Sequence, residues 1–163
     1  MHSIYTTRGF VIDSRPYGEA GKILSLFTRD FGLVSAVAQG IRLERSKLRY
    51  FAQDHSLGVF SLVRGKDLWR LTGTQAGTDA GTSDKRGPMA SEIVARVGSL
   101  LKRLLQGEDP HPELFVCVES LLRFLERNQG LNGDERKALE SLTVFRILRN
   151  LGYVGDDDSL SAV

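Results

Sequence analysis

The chain has 163 residues, 41% hydrophobic and 26% charged, which suits one domain or two small ones with enough mass to bury a core. No run reaches the apolar length of a membrane span, and the N-terminus lacks the charged-then-apolar layout of a signal peptide, so a cytoplasmic chain with no membrane partner is expected. A single cysteine, Cys117, leaves no internal disulfide and no thiolate zinc cluster, and His2, His55 and His111 have no metal-ligand spacing.

The net charge of +2 hides an asymmetry. Residues 1–75 hold 11 Lys/Arg against 6 Asp/Glu, a balance of +5, whereas residues 76–163 hold 11 against 14, a balance of −3. The N-terminal half is therefore the half suited to a polyanion.

Residues 4–14 (IYTTRGFVIDS) are rich in β-branched and aromatic side chains and read as a strand, broken by Pro16, Gly18 and Gly21. Residues 23–28 make a second strand, Asp30-Phe31-Gly32 a tight turn, and residues 33–38 a third strand. A long crossing follows, with Arg42, Arg45, Lys47 and Arg49 opposed only by Glu44. Such a run is either a solvated loop or a phosphate contact, because guanidinium and ammonium groups displace counterions from phosphate. Residues 56–63 and 68–72 give two further strands, joined by the hairpin-like Arg64-Gly65-Lys66-Asp67. Five short antiparallel strands fit a small closed barrel. Several are apolar on both faces, as at Leu24, Leu26 and Phe27, so something should cover part of the outside.

Residues 76–88 are rich in Gly, Thr and Asp and read as a linker or loop. From Ala90 the apolar period changes from two to about 3.6. Ile93, Val94, Val97, Leu100, Leu101 and Leu104 form one helical stripe started by Ser91; Leu114, Phe115, Val118, Leu121, Leu122 and Leu125 form a second. Leu139, Leu142, Phe145 and Leu148 or Leu151 form a third, opened by Asp134 and closed by Gly152. The expected fold is α+β: a five-stranded barrel over residues 1–76, a linker or loop at 77–90, a three-helix domain at 91–153 and a flexible acidic tail at 154–163.

Catalysis finds little support. Residues 16–23 fail the phosphate-loop pattern, with Pro16 in place of the first glycine and Ile23 in place of the metal-binding hydroxyl. Cys117 falls in a helical apolar pattern and reads as a small core residue, and Asp156-Asp157-Asp158 as a solvated tail. A chain without enzymatic activity or cofactor is expected. Binding is better served. Arg15 and Lys22 flank the first loop, Arg42, Arg45, Lys47 and Arg49 occupy the crossing, and Arg64, Lys66 and Arg70 surround the last hairpin. Tyr17, Tyr50 and Phe51 stand beside these cations where they can stack on bases, while Trp69 reads as core. The rival reading is a protein-interaction scaffold whose helical surface is the working face and whose barrel meets an acidic peptide or none.

Residues 7–20 (TRGFVIDSRPYGEA) resemble the opening of the bacterial DNA repair protein RecO family, as do Leu26-Phe27-Thr28-Arg29-Asp30-Phe31-Gly32, Ala38-Gln39-Gly40-Ile41-Arg42 and Ser46. Phe145-Arg146-Ile147-Leu148-Arg149-Asn150-Leu151-Gly152-Tyr153 is similar to the helix that precedes the zinc module of many members. Here the sequence ends ten residues past Tyr153 without cysteines, which implies a lineage without that module or a shortened chain. The resemblance implies an OB-fold followed by a helical domain. It further implies a nucleoid-associated recombination mediator that binds single- and double-stranded DNA and anneals complementary strands. Such a mediator works with RecR and the single-strand binding protein to load RecA.

Overall fold

The computed structural model describes residues 3–75 and 86–155. Five strands come first: β1 (Ile4–Tyr17), β2 (Gly21–Thr28), β3 (Gly32–Ala38), β4 (Leu57–Arg64) and β5 (Trp69–Gln75). Three helices follow: α1 (Pro88–Leu104), α2 (Pro112–Arg127) and α3 (Gly133–Asn150). The strands close into a barrel in the order β1-β2-β3-β5-β4, with β3 and β5 parallel and the other neighbours antiparallel, as in an OB-fold.

β1 holds the barrel together because it serves two partners. Its first half pairs with β4 from Ile4↔Val63 to Phe10↔Leu57, and its second half pairs with β2 from Gly9↔Thr28 to Tyr17↔Gly21. The register shifts between Val11 and Asp13, a bulge that bends a strand shared by two sheets. The strand also runs through Pro16, where the sequence reading broke it. The β4 ladder ends at Phe10 and the last backbone bonds on that side are made at Val11, so around Pro16 that side of β1 has no strand partner among the described residues and a residue without an N–H is tolerated.

Alternation sorts the apolar side chains into two cores. Val11, Leu24, Leu26, Val34, Ala36, Phe60, Leu62, Trp69 and Leu71 fill the barrel, and Ile41 and Ala52 from the crossing join them. Phe10, Ile12, Phe27 and Leu57 point outward and pack against the helices, with Ile93, Val97, Leu101, Phe115, Leu122 and Ile147. The cover expected from doubly apolar strands is therefore the helical layer. Phe27 and Phe115 meet across it with ring centroids 5.5 Å apart. Gly98 of α1 faces β1, where a Cβ would make ordinary contact with Ile12 Cγ2 at 3.6 Å.

Three helical details differ from the sequence reading. α1 begins at Pro88, with Gly87 as N-cap and proline in the first turn, so the expected linker loses its last three residues to a helix. The N-cap of α3 is Asn132 rather than Asp134: its side chain accepts from the Asp134 and Glu135 N–H groups, and Glu135 reaches back to the Asn132 N–H. The inner stripe of α3 is Leu139, Thr143, Ile147 and Leu151, while Leu142 and Phe145 are exposed. Gly152 does close the helix, at φ +79°, with Tyr153 N–H donating to the Leu148 carbonyl and Gly152 N–H to the Arg149 carbonyl. Residues 76–85 of the expected linker and residues 156–163 of the acidic tail lie outside the described residues. Among the described residues no helix is long and apolar enough to cross a membrane.

Candidate nucleic-acid interface

The crossing between β3 and β4 is an anchored structure. Ile41 and Ala52 are buried in the barrel core, Leu48 packs against it, and Lys47–Tyr50 forms one turn of 3-10 helix. The Arg42 N–H donates to the Ala20 carbonyl at 3.0 Å, tying the crossing to the β1–β2 turn. At its far end the His55 N–H donates to the Val11 carbonyl at 2.7 Å, and the Val11 N–H to the Ser56 carbonyl at 2.9 Å. With Ile41, Leu48 and Ala52 turned inward, Arg42, Leu43, Arg45, Lys47, Arg49 and Tyr50 are left exposed, Leu43 by 58% and Tyr50 by 67%.

A buried arginine fixes this end of the crossing from outside the barrel. Arg86, which the sequence reading placed in a linker, donates from a terminal guanidinium nitrogen to the His55 carbonyl at 2.7 Å, and its Nε stands 3.6 Å from Glu126 on α2. Burial lowers the Arg86 pKa, and the Glu126 carboxylate opposes that shift. His55 has φ +67° and stacks on Phe10; burial lowers its pKa, the Arg86 charge adds to that shift, and Asp54 and Asp13 oppose it.

Two clefts open on the barrel's uncovered side. One, of about 310 Å³, is lined by Lys22, Ile41, Arg42, Arg49, Ala52 and Gln53. Lys22 Nζ there also donates to Ser14 Oγ at 3.4 Å. The other, of about 340 Å³, lies between Tyr17, Val37 and Gln39 and the β4–β5 hairpin with Arg64, Lys66 and Arg70. The fold thus unites Lys22 with Arg42 and Arg49, and Tyr17 with Arg64 and Lys66. Arg15, Arg45, Lys47 and Tyr50 line neither cleft and stand exposed around them. Trp69 is buried in the barrel, as read from the sequence.

Where the barrel meets the helices several cations are paired: Arg8 and Arg123 with Glu119, Lys102 with Asp13, and Arg86 with Glu126. On the helices Arg96 pairs with Glu92 and Glu140, while Arg103, Arg127, Lys137 and Arg146 form no ion pair with any described residue. On the uncovered side Arg15, Lys22, Arg42, Arg45, Lys47, Arg49, Lys66 and Arg70 form no ion pair with any described residue. Arg64 is the exception, bound to Glu108. Glu108 was not singled out in the sequence, since a lone carboxylate in a helix connection carries no local signal. Cys117 is half-buried on α2, and burial raises its pKa, which suits a packing residue rather than a nucleophile.

Residues 1–76 match the family model described as "Recombination protein O N terminal". The chain is 35% identical over 157 residues to the DNA repair protein RecO of Desulfitobacterium hafniense, a match covering 92% of this chain and 52% of the relative. It is 33% identical over 149 residues to the RecO of Acidithiobacillus ferrooxidans, covering 91% and 55%. Against the RecO of Rubrobacter xylanophilus, 43% identity extends over 70 residues, 43% of this chain and 28% of the relative. The chain spans about half the length of the curated relatives it matches over most of its own length. The similarity to RecO proteins thus runs through the barrel of residues 1–76, where the family's N-terminal model matches, and continues across the helices.

Proposed function

We propose that this chain is a DNA-binding recombination mediator acting in DNA repair, and that it performs no bond-breaking chemistry of its own. The observation that carries the reading is the concentration of cations on the open side of the barrel: Arg15, Lys22, Arg42, Arg45, Lys47, Arg49, Lys66 and Arg70 form no ion pair among the described residues, and Lys22, Arg42 and Arg49 line one cleft. Arg42, Arg45, Lys47 and Arg49 grip phosphates along the crossing. Arg15 and Lys22 extend the track on one side, Lys66 and Arg64 on the other. Tyr50 and Tyr17, both exposed, offer ring faces to unstacked bases. Two complementary strands repel through their phosphates, and a surface that neutralises that charge makes pairing the favourable step, so annealing needs no hydrolysis.

The RecO relationship supports RecR and the single-strand binding protein as partners and an indirect role in loading RecA. Exposed Val116, Phe124, Leu142 and Phe145 on α2 and α3 favour a second task for the helices, contact with a protein partner. Phosphate contacts carry no base information. Replacing Arg45 and Lys47 by alanine should therefore weaken binding by a similar factor on oligonucleotides of unlike sequence, measured by fluorescence anisotropy. A loss confined to one sequence would count against backbone gripping.

A further inference from the structure

Arg64 alone among the proposed DNA-binding cations already holds a carboxylate partner among the described residues. Glu108, in the connection between α1 and α2, divides its two oxygens: Oε2 accepts from the Arg64 guanidinium, and Oε1 accepts from the Trp69 indole N–H at 2.8 Å. The Arg64 guanidinium carbon stands 4.8 Å from the Trp69 ring centroid, so the arginine is held between indole and carboxylate at the mouth of the hairpin cleft. The side chains of the pair are 60% and 42% exposed. An ion pair that wet is weak, and a phosphate can compete for the guanidinium.

The carboxylate does not travel with the arginine. Its connection is fixed to the barrel separately, because the Leu33 N–H donates to the Gly107 carbonyl at 3.0 Å and Gly32 lies against the Asp109 backbone. Glu108 is thus held by its own connection and by Trp69, through contacts that do not involve Arg64.

We propose that Glu108 is an acidic latch on the hairpin cleft, neutralising Arg64 in the free protein and yielding it to a backbone phosphate when DNA enters. The latch rests on the DNA-binding reading above. It lowers the affinity of this cleft relative to the crossing, whose cations form no ion pair among the described residues. It also ties occupancy of the cleft to the α1–α2 connection, and so to the helical layer.

The test titrates a labelled single-stranded oligonucleotide into the full chain and into Glu108→Gln, Arg64→Ala and the double variant, over a series of salt concentrations. Asp109→Asn serves as a control for removing a nearby negative charge. Glutamine keeps an oxygen for the indole N–H and removes only the charge. Glu108→Gln should bind about two- to fivefold tighter, the strength of an exposed ion pair. Its salt slope should steepen by about 0.7, one more phosphate on a single strand. Both gains should vanish when Arg64 is alanine and be absent from Asp109→Asn. Equal tightening without Arg64, equal tightening in Asp109→Asn, or no tightening while the wild type binds in a salt-dependent way would overturn the latch and leave DNA binding standing. No binding by the wild type at low salt would overturn both.

Discussion

At Gly32 a single hydrogen is all the space allows. Its φ is +71°, and a Cβ built there would fall on the backbone of Asp109 in the α1–α2 connection. Gly18 also has a positive φ, at +61°, but nothing lies within 4 Å of its missing Cβ. The two glycines therefore separate backbone strain from collision. Gly18→Ala should cost about 1 kcal/mol, the left-handed penalty alone. Gly32→Ala should cost at least about 2–3 kcal/mol, because the barrel and the helix connection must also move apart. Denaturant midpoints of the two variants check this, and equal losses would show that the connection yields freely. The turn at Gly32 is legible in the sequence as Asp30-Phe31-Gly32, but its neighbour is not, since Asp109 lies far along the chain. Arg86 is a parallel case: local composition reads as linker, and only the fold brings His55 and Glu126 to it.

The barrel and the helices are distinct elements that share one core. Phe10, Ile12, Phe27 and Leu57 on the barrel's outside are buried only because α1 and α2 cover them. Trp69, the one tryptophan, reports on the barrel, and far-ultraviolet circular dichroism reports chiefly on the helices. The two probes should give coincident unfolding curves. Phe115→Ala, which empties the contact with Phe27, should lower stability by about 3–5 kcal/mol and shift both curves together. A helical signal that shifts while the Trp69 signal stays would mean the layers unfold independently. The strands and the need for a cover were legible because a strand apolar on both faces has to be packed on both. The buried face of α3 was not. Two neighbouring stripes, Leu142 with Phe145 and Thr143 with Ile147, differ by one residue, and apolarity favours the wrong one. α3 packs on α2 and α1 through the stripe that carries Thr143, whose hydroxyl donates to the Leu139 carbonyl and so needs no outside partner.

At the whole-molecule scale, cations at the barrel–helix contact are paired, and those on the open side of the barrel, Arg64 apart, form no ion pair among the described residues. The cations at the first loop, the crossing and the last hairpin were legible as residues, because their clustering is local in sequence. Which cations are paired was not legible, since that is decided by carboxylates distant in the chain: Glu119 for Arg8, Asp13 for Lys102, Glu108 for Arg64. What the fold adds is that the same helical layer that buries the barrel's apolar face also supplies most of the carboxylates on that side. The open side keeps its positive charge for a ligand. If that ligand is a nucleic-acid backbone engaging about four to six phosphates, log affinity should fall against log salt with a slope of roughly −3 to −5. The direct measurement is anisotropy of a labelled single-stranded oligonucleotide across a salt series, with the Arg42/Arg45/Lys47/Arg49→Ala variant beside the wild type. Steep salt dependence in the wild type and loss of binding in the variant are the predicted results. Salt-insensitive binding, or a variant that binds as well as the wild type, would contradict a phosphate-gripping crossing.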